Sequence, residues 1–152
     1  MIPEQAHPDQ TILLIEDSPD DHEAFVRSFK KAGVPLDIVW APSGEDGIDM
    51  LRKSNETMPG NLGGHPAVIF LDLNMKGMDG QHVLQILKTD NNLRHIPVII
   101  LTTSSNDKDI LFCFQMGANA YIQKPVNFSD LVQVAESFKR FWIEKSVLPG
   151  CH

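Results

Sequence analysis

An apolar run ends in a carboxylate at Val68-Ile69-Phe70-Leu71-Asp72-Leu73-Asn74. A run of that kind reads as a strand buried on both faces of a parallel sheet. Open α/β sheets place their ligand sites just beyond the carboxyl ends of such strands. Other apolar runs also end in polar groups: Glu16 with Asp17, then Thr102, then Lys124. Carboxylates, a hydroxyl and an amine on one rim point to a divalent metal and phosphate chemistry. Glu16, Asp17 and Asp72 repel one another unless a cation or a proton relieves them. Mg²⁺ suits this set, because it is hard, prefers oxygen and is held by few carboxylates plus phosphate. Lys124 would bring charge to phosphoryl oxygens and Thr102 a hydrogen bond. A carboxylate beside Mg²⁺ can then act as a nucleophile and form an acyl phosphate.

Positioning such a rim requires alternating strands and helices, and the pattern supplies them. Thr11 to Ile15 is predicted as a strand, followed by a helix from Pro19 to Ala32. Ser18 is its N-cap, Pro19 suits its first turn and Gly33 stops it. Leu36 to Ala41 alternates as an edge or half-exposed strand does, and Gly44 to Arg52 is a helix capped by Ser43. Residues 55–66 are rich in Gly, Asn and Pro and predict a loop longer than usual. Then come a strand from Ala67 to Leu71, a helix through Val83, Leu84, Ile86 and Leu87 after an Asp79 cap, and a strand from Pro97 to Leu101. Asp107 to Met116 is a helix ended by Gly117, and Ala120 to Gln123 is the fifth strand. A last helix runs from Asn127 to about Ile143, with Leu131, Val134, Phe138 and Phe141 as its stripe. Five strand–helix units in series predict a five-stranded parallel sheet with helices on both faces. The expected organisation is a disordered leader over residues 1–10, one domain over 11–143 and a tail over 144–152.

Bulk properties exclude several classes. A chain of 152 residues, 42% hydrophobic and 22% charged, suits one globular domain. No apolar run approaches the roughly 20 residues of a membrane helix, and the leader lacks the basic flank and apolar core of a signal peptide. The net charge of −7 and the lack of any Lys/Arg cluster argue against nucleic acid. Cys113 reads as a core residue and Cys151 as incidental, which fits a reducing cytoplasm. His22, His65, His82 and His95 share no metal-ligand spacing and read as surface residues.

Four motifs in order resemble the receiver domain of two-component response regulators, over about residues 10 to 143. They are Leu14-Ile15-Glu16-Asp17; Leu71-Asp72-Leu73-Asn74-Met75 with Met78-Asp79-Gly80; Pro97-Val98-Ile99-Ile100-Leu101-Thr102; and Gly117 through Lys124-Pro125. The resemblance implies a flavodoxin-like (βα)5 fold and a phosphoacceptor rather than a turnover enzyme. It implies that Asp72 is phosphorylated by a histidine kinase. Asp17 would then hold Mg²⁺, Glu16 would do so directly or through water, and Asn74 would offer its backbone carbonyl. Thr102 would hydrogen-bond the phosphoryl group, Lys124 would pair with it, and the Lys124–Pro125 bond would be cis. Tyr121 reads either as a switching aromatic or as a packed one. Many receivers have proline where Lys76 stands and a smaller residue where Thr103 stands. The loop Asn55 to Gly64, Leu101-Thr102-Thr103-Ser104, and Phe141-Trp142-Ile143-Glu144 with Leu148-Pro149 resemble single-domain regulators paired with phytochrome histidine kinases.

With no output domain in the chain, the signal is expected to leave through a partner. A homodimer through the fourth helix, fifth strand and fifth helix is the expected form, aided by Phe141 and Trp142 if these extend past the core rather than pack in it. The competing readings are weaker. Phosphatases with an aspartyl nucleophile use Asp-x-Asp, and Asn74 cannot donate the proton of the second acid. A phosphorylation-independent adaptor leaves the complete polar set unexplained. A dinucleotide-binding domain needs glycines where Glu16-Asp17-Ser18-Pro19 stand.

Overall fold

In the computed structural model, which describes residues 10–54 and 64–147, strands and helices alternate as the hydrophobic pattern requires. The elements are β1 (Thr11–Ile15), α1 (Pro19–Lys31), β2 (Asp37–Ala41), α2 (Gly44–Arg52), β3 (Val68–Leu71), α3 (Gly80–Thr89), β4 (Val98–Thr102), α4 (Asp107–Met116), β5 (Ala120–Gln123) and α5 (Phe128–Phe138). The sheet is fully parallel in the order β2-β1-β3-β4-β5, the flavodoxin-like arrangement. The chain steps outward from β1 to β2 and then returns past β1 to β3. The β1/β3 seam is therefore the switch point where such sheets open a crevice. Leu14 pairs with Phe70 and Ile15 with Leu71, so Glu16 and Asp72 leave the sheet side by side.

Helices cover both faces. Leu13, Ile15, Ile69, Leu71, Val98 and Ile100 pack on α2, α3 and α4 through Ile48, Leu51, Val83, Leu84, Leu87 and Cys113. The buried Cys113 thiol is pushed up to about 11, by burial first and then by the charge of Asp109. On the opposite face, Ile12, Leu14, Phe70, Ile99 and Leu101 meet α1 and α5. Four phenylalanines lock that face: Phe70 lies edge-on to Phe25 at 5.0 Å, and to Phe29 and Phe138 at 5.4 Å each. Each such pair adds roughly 0.5–1.5 kcal/mol beyond area burial. Phe70 is two residues before Asp72, so this cluster also fixes where the acidic strand end sits.

The expected caps form. Ser18, Ser43 and Asp79 accept from the backbone N–H groups of Asp21, Asp46 and His82. Gly117 ends α4 at φ 109°, a left-handed value that favours glycine. β2 lies at an edge, as its alternation predicts.

Some details differ from the sequence reading. Thr102 is the last residue of β4 rather than a residue beyond it, and it is fully buried. The last α-helix ends at Phe138 and continues as a π-helical turn, Lys139–Ile143. Bonds from Glu144 N–H to the Lys139 carbonyl and from Ser146 N–H to the Phe141 carbonyl widen the spiral there. The widened turn stacks Trp142 on Phe138 and leaves Phe141 61% exposed. The Lys124–Pro125 bond is trans, since no cis bond occurs among the described residues. Trans is the intrinsically favoured isomer, and Lys124 reaches its carboxylate partners with the bond in that form. Residues 1–9 of the expected leader, most of the long loop (55–63) and the end of the tail with Cys151 (148–152) lie outside the described residues. Among the described residues, no helix is long and apolar enough to cross a membrane.

Gly80 ties the fold to the site. A Cβ there would press on the Asp72 carbonyl oxygen and lie 2.5 Å from Leu73 Cα, both backbone atoms that no rotamer can move aside. Gly80→Ala is therefore expected to lower unfolding stability by about 1–3 kcal/mol despite alanine's better helix propensity. Urea unfolding measures this, and an unchanged midpoint would show that the α3 start is not tightly packed.

Candidate functional site

Parallel pairing carries the polar residues to one rim. Asp72 N–H donates to the Ile15 carbonyl at 3.1 Å, and Lys124 N–H donates to the Thr102 carbonyl at 2.7 Å, so the ladder runs to the strand ends. Beyond it the side chains converge. Lys124 Nζ donates to Glu16 Oε1 at 2.6 Å, to Asp21 Oδ2 at 2.7 Å and to Asp72 Oδ2 at 3.1 Å. Glu16 and Asp72 are buried, and the Lys124 side chain is only 13% exposed. Burial, reinforced by the charge of Asp72, pushes the Glu16 carboxyl up to about 7 against the pull of Lys124. Burial alone would lower the Lys124 ammonium, but hydrogen bonds to Asp21 and Glu16 and the charge of Asp72 hold it above its ordinary value. One cation thus partly relieves three anions.

Backbone groups orient the acids further. Ser18 N–H donates to Glu16 Oε2 at 3.2 Å, Asn74 N–H to Asp72 Oδ1 at 3.1 Å, and Lys76 N–H to Asp17 Oδ2 at 3.0 Å. The contact at Lys76 needs a residue with an N–H, which a proline would lack. Trp40 on β2 donates its indole N–H to the Glu16 carbonyl at 2.7 Å and stacks on His22 at 4.0 Å. On the other side, the Asn74 amide reaches the hydroxyls of Thr103 at 3.1 Å and Thr102 at 3.4 Å. Tyr121 packs against the α4-side core and donates its hydroxyl to the Ser104 carbonyl at 3.0 Å. Ser104 Oγ donates to Asp109, which also accepts from Gln81, each at 2.7 Å.

The acids can hold a divalent cation. One oxygen from each of Glu16, Asp17 and Asp72 lies within 4.8 Å of the other two. Mg²⁺ favours such oxygen donors and is held by few carboxylates plus phosphate, so Glu16, Asp17 and Asp72 would suit it. The donors are all oxygen, and Asp17 keeps the site partly open. Among the described residues no histidine joins such a group. His65 and His95 do meet, with ring nitrogens 3.3 Å apart, a pairing their sequence separation conceals.

The model of the response regulator receiver domain matches residues 12–136. The chain belongs to this family. Its relatives include the response regulator Rcp1 of Synechocystis, 30% identical over 97% of this chain and 98% of that protein. The probable methanogenesis regulatory protein FilR2 of Methanothrix harundinacea is 34% identical over 91% of this receiver and 87% of its own length. Among solved structures, the phosphorylated cyanobacterial phytochrome response regulator RcpA superposes with a TM-score of 0.82 at 33% identity, covering 93% of this chain and 99% of that one. The Mn²⁺-bound form of Rcp1 superposes at 0.80 with 30% identity, covering 93% and 99%. The chain is thus similar to phytochrome response regulators along nearly its whole length, and its acidic cluster fits the divalent metal site of receivers.

The sequence reading placed Glu16, Asp17, Asp72, Asn74, Thr102 and Lys124 in one site, and the structure brings them together. It missed Asp21 and Trp40. An acid in a first helical turn reads as a partner for the helix dipole, and a tryptophan on an edge strand reads as packing. Replacing Lys124 by methionine leaves Glu16 and Asp72 buried without their cation. A loss of about 3 kcal/mol is expected in the presence of a chelator, with part of it recovered when Mg²⁺ is added. Chemical denaturation in the two conditions tests this. Equal stability of both chains in chelator would mean that the lysine is not what neutralises the acids.

Proposed function

We propose that this receiver accepts a phosphoryl group on Asp72 from a histidine kinase, in a Mg²⁺-dependent reaction, and that phosphorylation switches its binding to partners or to a second copy. The observation carrying this reading is the convergence of buried Asp72 with Lys124 and two more carboxylates at the switch point. When bound, the metal would offset charge that builds on the phosphoryl oxygens. Asp17 and Asp72 would hold it. Glu16, whose oxygens already accept from Lys124 and Ser18, would act directly or through water, and Asn74 would offer its backbone carbonyl. An Asp72 carboxylate oxygen attacks phosphorus in line as the imidazole–phosphorus bond breaks, and the imidazole leaves with the bonding pair. Lys124 pairs with the transferred group and Thr102 donates its hydroxyl to it.

The added charge of roughly −1.5 to −2 draws Thr102 inward. Tyr121 lies one residue away through Ser104, whose N–H also contacts Thr102 Oγ1 at 3.4 Å. Movement there shifts the population of packings on the α4–β5–α5 face. Leu111 and Phe114 on α4 are 58% and 49% exposed, and Phe141 extends beyond α5. This supports a homodimer through that face. Similarity to the phytochrome response regulator RcpA supports a phytochrome histidine kinase as phosphodonor, and membership of the receiver family supports the cytoplasm as the place of action.

Incubation with acetyl phosphate and Mg²⁺ is expected to add one phosphoryl group to the wild type. Asp72→Asn, or a chelator, should prevent the addition. Intact-mass measurement reads this out, and a phosphorylated Asp72→Asn chain would sink the assignment. In sedimentation, the phosphorylated wild type should form dimers at micromolar concentration and Phe114→Ser should weaken them. A phosphorylated monomer would remove the dimer from the reading.

A further inference from the structure

Lys124 has ion-pair partners of two kinds. Glu16 and Asp72 sit at strand ends with side chains 4% and 6% exposed. Asp21 belongs to the first turn of α1, and its side chain is 48% exposed. It lines the mouth of a cleft of about 430 Å³ between α1 and the β5–α5 connection, together with Phe25, Pro125 and Phe128. A lysine ammonium has three N–H donors. Here they serve three carboxylates at 2.6, 2.7 and 3.1 Å. A phosphoryl group on Asp72 would bring three further acceptor oxygens. Lys124 would then move its ammonium beyond Asp72 Oδ2 toward the added oxygens, which stretches its contacts with Glu16 and Asp21.

The partners differ in how readily they release the lysine. Glu16 is buried, so solvent compensates it poorly for a weakened contact with Lys124. Half-exposed Asp21 can exchange the lysine for solvent. We propose that Asp21 is a positioning residue that competes with the phosphoryl group for Lys124 and so lowers the affinity of the site for that group. It draws the ammonium toward the cleft mouth while Asp72 is unmodified and yields it when an anion arrives. Its own negative charge, one lysine away from Asp72, opposes the arriving anion as well. The inference rests on Asp72 being the phosphoacceptor. An acid serving only the α1 dipole would affect helix stability and leave the anion affinity alone.

Beryllofluoride coordinates a carboxylate oxygen and imitates a phosphoryl group, so its affinity can be measured by calorimetry at saturating Mg²⁺. Asp21→Asn is expected to bind it about fivefold more tightly than wild type, the scale of a partly exposed charge pair. The difference should shrink as salt is raised. Asp21→Glu, which restores the charge, should return the affinity toward the wild-type value. Equal or weaker binding by Asp21→Asn overturns this inference, as does an Asp21→Glu chain that behaves like Asp21→Asn. Wild type that binds no beryllofluoride, or Asp72→Asn that binds it as wild type does, overturns the phosphoacceptor reading and this inference with it. The two failures are therefore distinguishable.

Discussion

A single ammonium shared by three carboxylates organises this molecule. Lys124 arrives from β5, Glu16 from β1, Asp72 from β3 and Asp21 from α1, so four elements meet at one charge. One positive charge cannot balance them, and Asp17 adds a further acid beside them. The rim remains an anionic pocket that gains from another cation. Of these acids Asp21 and Asp17 reach toward solvent, whereas Glu16 and Asp72 are buried at the carboxyl ends of central strands whose bodies are apolar.

The surroundings of the acidic rim differ on its two sides. On the α1 and α5 side, packed phenylalanines hold Phe70, and through it the acidic strand end, in place. On the α4 side, polar contacts run from Asn74 through Thr102 and Ser104 to Tyr121, Asp109 and Gln81. Close-packed aromatic rings resist displacement, whereas hydrogen bonds can exchange partners at little net cost. Under the proposed function, a new anion at Asp72 would thus find a firm wall on one side and a rearrangeable one on the other.

Most of the fold was legible because its signals are local. Apolar runs marked the buried strands, Ser18, Ser43 and Asp79 marked helix starts, and Gly117 marked a helix end. The acidic rim was legible because parallel strands deliver their carboxyl ends to one side. What escaped was set by three-dimensional reach. The Asp21–Lys124 pair spans 103 positions in sequence, and nothing local announces it. The π turn was hidden too, because Phe138, Phe141 and Trp142 suit an α-helical stripe equally well. The Lys124–Pro125 isomer was inferred from the family resemblance, and local sequence carries little information about it.

Trp40 gives the chain a property of a different kind. Its indole N–H is bound to the backbone of Glu16, and its ring lies flat on His22 at the start of α1. The other tryptophan, Trp142, lies on the π turn after α5, packed against Phe138. The protein therefore carries two tryptophans, one bonded to the acidic rim and one packed in the C-terminal aromatic cluster. With either one replaced by phenylalanine, the emission of the other reports on its own end of the proposed signal path without any attached dye.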